Sequence, residues 1–244
     1  MADAHAIEHS DHDYIGFDVN QWLLGLRFRL LTRLERFDEM RVCAESLKAV
    51  LDSTRDPVIK MVVHYTLAES GYFSNDRELT SLHASALADI ARQHQSPYLS
   101  AYTQFSLGLS EAVSGRHARA SEFFASALVS IRGSAVAPEL ESEILSHHAL
   151  SLLRTGSVAL SVSVAGEAME IAKRRGNRFA ECFSLLVLAR ALETRDGAKD
   201  PAVTSLSREA FGLLTVTAAR VLRRVLDVDQ PSDENEQAAL VEPD

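Results

Sequence analysis

The sequence predicts an all-α protein, an α-solenoid of about five antiparallel helix pairs, and two spacings carry this prediction. Pro57, Pro97 and Pro138 lie 40 or 41 residues apart. A second set of positions recurs at the same interval: Glu35, Asn75, Gly115, Gly156 and Gly197. Self-similarity at a period of this length is the signature of a helical-repeat architecture.

The prolines mark the starts of the first helices of the units. Proline has no backbone N–H and a fixed φ, so the first turn of a helix tolerates it. Asp56 and Ser96 precede two of these prolines and Asp200 precedes Pro201, where their side chains can cap the new helix. The predicted first helices cover residues 19–34, 57–73, 97–114, 138–155 and 179–194.

The second set of positions marks where each long segment breaks into two helices. The predicted second helices cover residues 37–52, 76–94, 117–132, 158–175 and 201–226. In the third unit, apolar residues recur at the three- and four-residue spacings that place side chains on one helical face: Ala120, Phe123, Phe124, Ala127, Leu128 and Ile131. No alternating strand pattern with a hairpin signal occurs in the sequence.

The net charge of −9 is concentrated at the two ends of the sequence. Residues 1–18 hold five acidic residues and residues 227–244 hold seven, and neither segment contains Lys or Arg. This composition predicts a flexible acidic leader at 1–18, a repeat domain at 19–226 and a disordered acidic tail at 227–244. Removing those twelve charges leaves the body at about +3, so we expect no direct nucleic-acid binding.

Five residues of the third unit, Gly108, Gly115, Ala120, Phe124 and Ala127, form a pattern that resembles the tetratricopeptide repeat. In that family, small residues let two antiparallel helices approach and an aromatic side chain fills the gap between units. The resemblance implies a right-handed solenoid whose first helices line a concave surface. The period exceeds the 34 residues of that family, so both helices of each unit are expected to be longer.

The stretch 165–190 resembles the helical-repeat region of large bacterial ATP-dependent transcription activators and of multidomain nucleotide cyclases. In those proteins such repeats receive an effector or a protein partner, which implies a regulatory role in a bacterial protein. Their ATPase and cyclase chemistry belongs to other domains. This sequence contains no G-x-x-x-x-G-K-[ST] phosphate loop, so none of that chemistry transfers.

Sequence motifs for catalysis, cofactor binding and membrane insertion are absent. No serine lies in a G-x-S-x-G elbow, and Cys43 and Cys182 lack metal or nucleophile spacing. His5, His9 and His12 cluster in the leader, where a structural role or metal site is not expected. The N-terminus lacks a secretory signal, and no apolar run reaches the roughly 18 residues that span a bilayer. We expect a cytoplasmic protein without cofactors that does not bind membranes.

The concave surface implied by the tetratricopeptide resemblance is the candidate binding groove. Its predicted lining residues are Arg29, Arg33, Tyr65, Glu69, Tyr72, Tyr102, Phe105, Leu109, His147 and Arg154. Aromatic residues and arginines supply most of the binding energy at protein interfaces. The competing interpretation is that the aromatic residues form core between helices, and that His147 makes a hydrogen bond between helices.

The leading hypothesis is a non-enzymatic regulatory module that binds a protein or peptide segment in this groove. The alternative is a small-molecule effector-sensing domain of a signalling or transcription regulator. A third hypothesis, a metal-dependent enzyme, would use Glu143 and His147, which lie four residues apart on one helical face. Homo-oligomerisation also stays open, because an uncapped apolar end of a solenoid favours pairing.

Overall fold

The computed structural model describes residues 18–217 and 221–226, which contain ten long α-helices, one short one and no β-strand. The first helices of the five pairs are α1 (Val19–Arg33), α3 (Pro57–Ser74), α5 (Pro97–Val113), α7 (Glu141–Arg154) and α9 (Arg178–Asp196). The second helices are α2 (Phe37–Ser53), α4 (Arg77–Gln93), α6 (His117–Ser134), α8 (Val158–Arg175) and α10 (Pro201–Thr217), and α11 (Val221–Val225) follows them. The predicted all-α solenoid of five helix pairs is confirmed.

The helix starts have the chemistry that the sequence predicts, with one difference. Asp56 Oδ1 accepts a hydrogen bond from Val58 N at 2.8 Å, and Asp200 Oδ1 accepts one from Ala202 N at 2.7 Å. Pro138 instead begins a 3-10 turn, and α7 starts only at Glu141. Ala137, which precedes this proline, has a φ of 45° and no capping side chain, so it cannot start an α-helix as Asp56 does.

The turns between paired helices lie where the second spacing predicts them. All five positions have a positive φ, from 55° at Glu35 to 94° at Gly197. Glycine adopts this conformation without steric cost, and asparagine is the next most tolerant residue. Glu35 is the exception, because it is neither glycine nor asparagine and yet has a positive φ just after the end of α1.

Each of the ten long helices packs against its neighbour along the chain, and the first helices also contact each other in the pairs α1–α3, α3–α5, α5–α7 and α7–α9. Within the third pair, a Cβ atom added at Gly108 would lie 2.4 Å from Phe124 Cε1. The glycine therefore lets the aromatic ring of α6 lie against the backbone of α5. The first helices form the inner layer of the solenoid.

The inner layer winds so tightly that distant units meet. Arg29 and Arg33 of α1 form ion pairs with Glu143 of α7, 114 and 110 residues away. At the other end of the described chain, α11 packs against α3. Within the described residues, no helix combines the length and the apolar character needed to cross a bilayer.

Candidate functional site

The predicted groove residues do lie together on the inner face, but most of them are not accessible. Eight of the ten are buried, and Phe105 and Leu109 have no exposed surface. Arg29 is partly buried and Arg154 is exposed. The expectation of an open groove therefore needs correction, since the contact between units one and four fills the interior with side chains. As binding residues the ten stay a prediction.

A four-residue ion cluster, Arg29, Arg33, Glu69 and Glu143, occupies the centre of this inner face. Arg29 Nε lies 2.8 Å from Glu69 Oε2, and Arg29 also donates to Glu143. Arg33 Nη2 lies 2.7 Å from Glu69 Oε1 and 2.7 Å from Glu143 Oε2. Two positive and two negative groups balance each other, as burial of charge requires.

Aromatic rings and an amide complete the surroundings of the cluster. The Arg33 guanidinium lies 3.7 Å from the centroid of the Phe179 ring, and the Arg29 guanidinium lies 5.1 Å from that of Tyr65. Asn177 caps α9 through its oxygen and donates from Nδ2 to Glu143 Oε1 at 3.2 Å. The cluster thus joins α1, α3, α7 and the start of α9.

The charges of the cluster control the protonation of its members. Burial alone would raise the pKa of Glu143, but the facing guanidiniums of Arg29 and Arg33 and the hydrogen bonds from Arg33 and Asn177 lower it to about 2. Burial lowers the pKa of Arg29, whereas Glu143 and Glu69 raise it well above its ordinary value. Glu143 and both arginines are therefore ionised at neutral pH.

His147 lies beside the cluster inside a cage of aromatic rings. Its ring centroid is 5.0 Å from that of Tyr72, 5.4 Å from that of Phe105 and 4.8 Å from that of Phe183. Burial is the main cause that lowers the pKa of His147 to about 3. The buried Nδ1 atom has no hydrogen-bond partner, so this nitrogen does not form the expected hydrogen bond between helices. His147 is a neutral member of the core.

Tyr102 is held by the 3-10 turn that precedes α7. Its hydroxyl donates to Glu139 Oε1 at 3.1 Å and lies 3.5 Å from the hydroxyl of Tyr98. Burial is the main cause that raises the pKa of Tyr102 well above its ordinary value. This tyrosine joins unit three to unit four.

One accessible cavity adjoins the predicted groove, and we call it the turn-end cavity. It has a volume of about 390 Å³ and lies between the last turns of α3, α5 and α7. Its apolar lining comprises Tyr72, Phe73, Ala112, Val113, Leu150 and Val225. Its polar lining comprises Asn75, Arg77, His117 and Arg154, and Gly115 completes it. Tyr72 and Arg154 are the two predicted groove residues that reach it.

The described lining of the turn-end cavity contains two arginines and a histidine but no carboxylate. The helix ends around it have capped carbonyls, because Asp76 N donates to Gly71 O at 2.8 Å and Arg116 N donates to Glu111 O at 2.9 Å. Side chains therefore set its charge, and the cavity favours a ligand with apolar and acidic groups.

Sequence reasoning missed Arg77 and His117, although a signal for them exists. Each stands two residues after a turn position, Asn75 or Gly115, and so begins a second helix at the end of the groove. The groove prediction considered first helices alone. The beginnings of α4 and α6 also face the turn-end cavity.

His5, His9 and His12, and both acidic segments except Asp18, lie outside the described residues. Within the described part of the chain, no group of three or more His, Cys, Asp or Glu side chains is arranged to hold a metal ion. Comparison with protein-family models and with curated proteins finds no match to this chain.

Proposed function

We propose that the protein is a non-enzymatic regulatory module that binds an acidic peptide or protein segment at the turn-end cavity. The observation that carries this proposal is the lining of the cavity, with apolar side chains on its floor and Arg77 and Arg154 exposed at its rim. An extended segment that places apolar residues on Tyr72 and Phe73 and carboxylates on the arginines would match this lining.

The resemblance to the tetratricopeptide repeat and to the repeat region of bacterial transcription activators supports the same proposal. Helical repeats of that kind bind protein segments on their inner side, and the turn-end cavity adjoins that side through Tyr72 and Arg154. We place the protein in the bacterial cytoplasm on this resemblance. Glu143 and His147, the residues of the enzyme hypothesis, have structural roles in the ion cluster and in the aromatic cage.

Selection from a displayed random-peptide library tests the proposal. Purified full-length protein should enrich peptides in which Asp or Glu flanks apolar residues. The variant Arg77→Glu/Arg154→Glu should lose them, because both changes reverse charge at the rim. A matched control is Arg41→Glu/Arg92→Glu, which reverses two exposed charges elsewhere. Enrichment that survives the rim variant would contradict the proposal.

A small-molecule effector is the second candidate, because about 390 Å³ lies within the range of small-ligand pockets. A metabolite that binds only the folded chain raises its apparent stability. A metabolite thermal-shift screen should then give a shift that the rim variant abolishes, and peptide selection should give no enrichment. A peptide signal without a metabolite signal favours the first candidate.

A further inference from the structure

The turn-end cavity lies beside the last described residues of the chain, which the acidic segment 227–244 follows in the sequence. Val225 lines the cavity, and its carbonyl oxygen accepts a hydrogen bond from Arg154 Nη2 at 3.4 Å. Leu226 is buried and anchors the end of α11. The eighteen residues that follow therefore start at the rim of the cavity.

The composition of this segment is complementary to the cavity. It contains seven acidic residues and neither Lys nor Arg, whereas the described lining contains Arg77 and Arg154 and no carboxylate. It also contains an apolar pair, Leu240 and Val241, which Glu242 follows directly. This pair suits the apolar floor of the cavity, and the acidic residues suit its rim.

The segment is long enough to return to the cavity. Leu240 lies fourteen residues beyond Leu226, and a chain of that length reaches about 46 Å when extended. A segment tethered by so short a linker has an effective concentration on the order of millimolar. Weak intrinsic binding is then enough to keep the cavity occupied by the chain itself.

We propose that residues 227–244 bind in the turn-end cavity as an intramolecular acidic ligand, with Leu240 and Val241 on the apolar floor and carboxylates facing Arg77 and Arg154. A partner must displace this segment before it binds. The inference rests on the proposed function, because it assigns a competitor to the same site. It also makes the acidic segment an autoinhibitory element of the module.

The test uses a fluorescein-labelled peptide of residues 227–244 and full-length proteins, with fluorescence anisotropy as the measurement. One protein is unaltered. A tail variant carries Leu240→Ser, Val241→Ser and Glu242→Gln, which removes the apolar pair and the adjacent charge. A third protein combines the tail variant with Arg77→Glu and Arg154→Glu, and a fourth combines it with the control changes Arg41→Glu and Arg92→Glu.

We expect the tail variant to bind the peptide at least about tenfold more tightly than the unaltered protein, because its own tail no longer competes. The rim changes should abolish binding and the control changes should leave it intact. Circular dichroism of all four proteins checks that the fold is retained, as the substituted rim and control arginines are exposed.

Two outcomes would overturn the inference. Absence of peptide binding to the tail variant excludes the segment as a ligand, and equal binding to the unaltered protein and the tail variant excludes competition. Library selection on the tail variant separates these failures from failure of the proposed function. If the tail variant enriches peptides and the changes at Arg77 and Arg154 abolish that enrichment, the proposed function stands and only residues 227–244 are excluded as a ligand. If the tail variant enriches no peptide, the proposed function is rejected.

Discussion

Replacing Glu143 by glutamine should destabilise the solenoid strongly, because it leaves the buried Arg33 and the partly buried Arg29 with one carboxylate, that of Glu69. The Glu143 side chain is 4% exposed and accepts hydrogen bonds from Arg29, Arg33 and Asn177. Breaking a buried ion pair by removing one partner costs about 3–5 kcal/mol. With a urea m-value of about 2–3 kcal/mol/M, the unfolding midpoint should fall by about 1–2 M.

Urea unfolding followed by circular dichroism at neutral pH measures this loss, and Glu45→Gln is the matched control. Glu45 pairs with Lys48 at 2.8 Å, but their side chains are 68% and 65% exposed. The control should therefore cost at most about 1 kcal/mol. The double variant Arg33→Met/Glu143→Met should be more stable than Glu143→Gln, since it restores the charge balance. A loss for Glu143→Gln no larger than that of the control would refute this reasoning.

Three further predictions follow from the core and from a helix cap. Because the pKa of His147 is about 3 in the folded protein, its contribution to stability is fully present above the ordinary pKa near 6.5 and is lost as the pH falls towards 3. His147→Leu should therefore reduce the loss of unfolding free energy between pH 6 and pH 5 by about 1.2 kcal/mol. Equal pH dependence of the unfolding free energy in the two proteins, measured by urea titration at both pH values, would contradict this. Gly108→Ala should lower stability by about 1–3 kcal/mol because the new Cβ meets Phe124. Gly133→Ala, whose Cβ meets nothing within 4 Å, should raise the thermal midpoint, and equal effects of the two alanines would count against the packing argument. Asp56→Ala should cost about 1 kcal/mol by removing the cap of Val58 N, and an unchanged urea midpoint would show that the cap adds nothing.

The sequence predicts the helices well because the signals for their ends are local. Asp56 and Asp200 cap the backbone of residues two positions away, and glycines at the turns supply the positive φ within a single residue. The exception is Pro138, where Ala137 offers no cap and a 3-10 turn forms first. Periodicity likewise identifies which side chains of the first helices face inwards.

The burial of the side chains on the inner face could not be predicted from periodicity, because it depends on how tightly the units wind. A small rotation between units, accumulated from α1 to α7, decides whether Arg29 faces solvent or Glu143. The repeat pattern carries no information on that angle. The pattern therefore gives a candidate set of inward-facing residues without their burial, and it missed Asn177 and Phe179, which contact the cluster from the start of α9.

The ion pairs between α1 and α7 also restrict how this repeat protein can change its length. Solenoids whose units contact only their neighbours can gain or lose whole units, and their stability is close to a sum over units and interfaces. Here an extra unit between α1 and α7 would carry Glu143 away from Arg29 and Arg33 and leave its buried carboxylate without either arginine. The number of units between them is therefore constrained, and units one to four should unfold together rather than from one end.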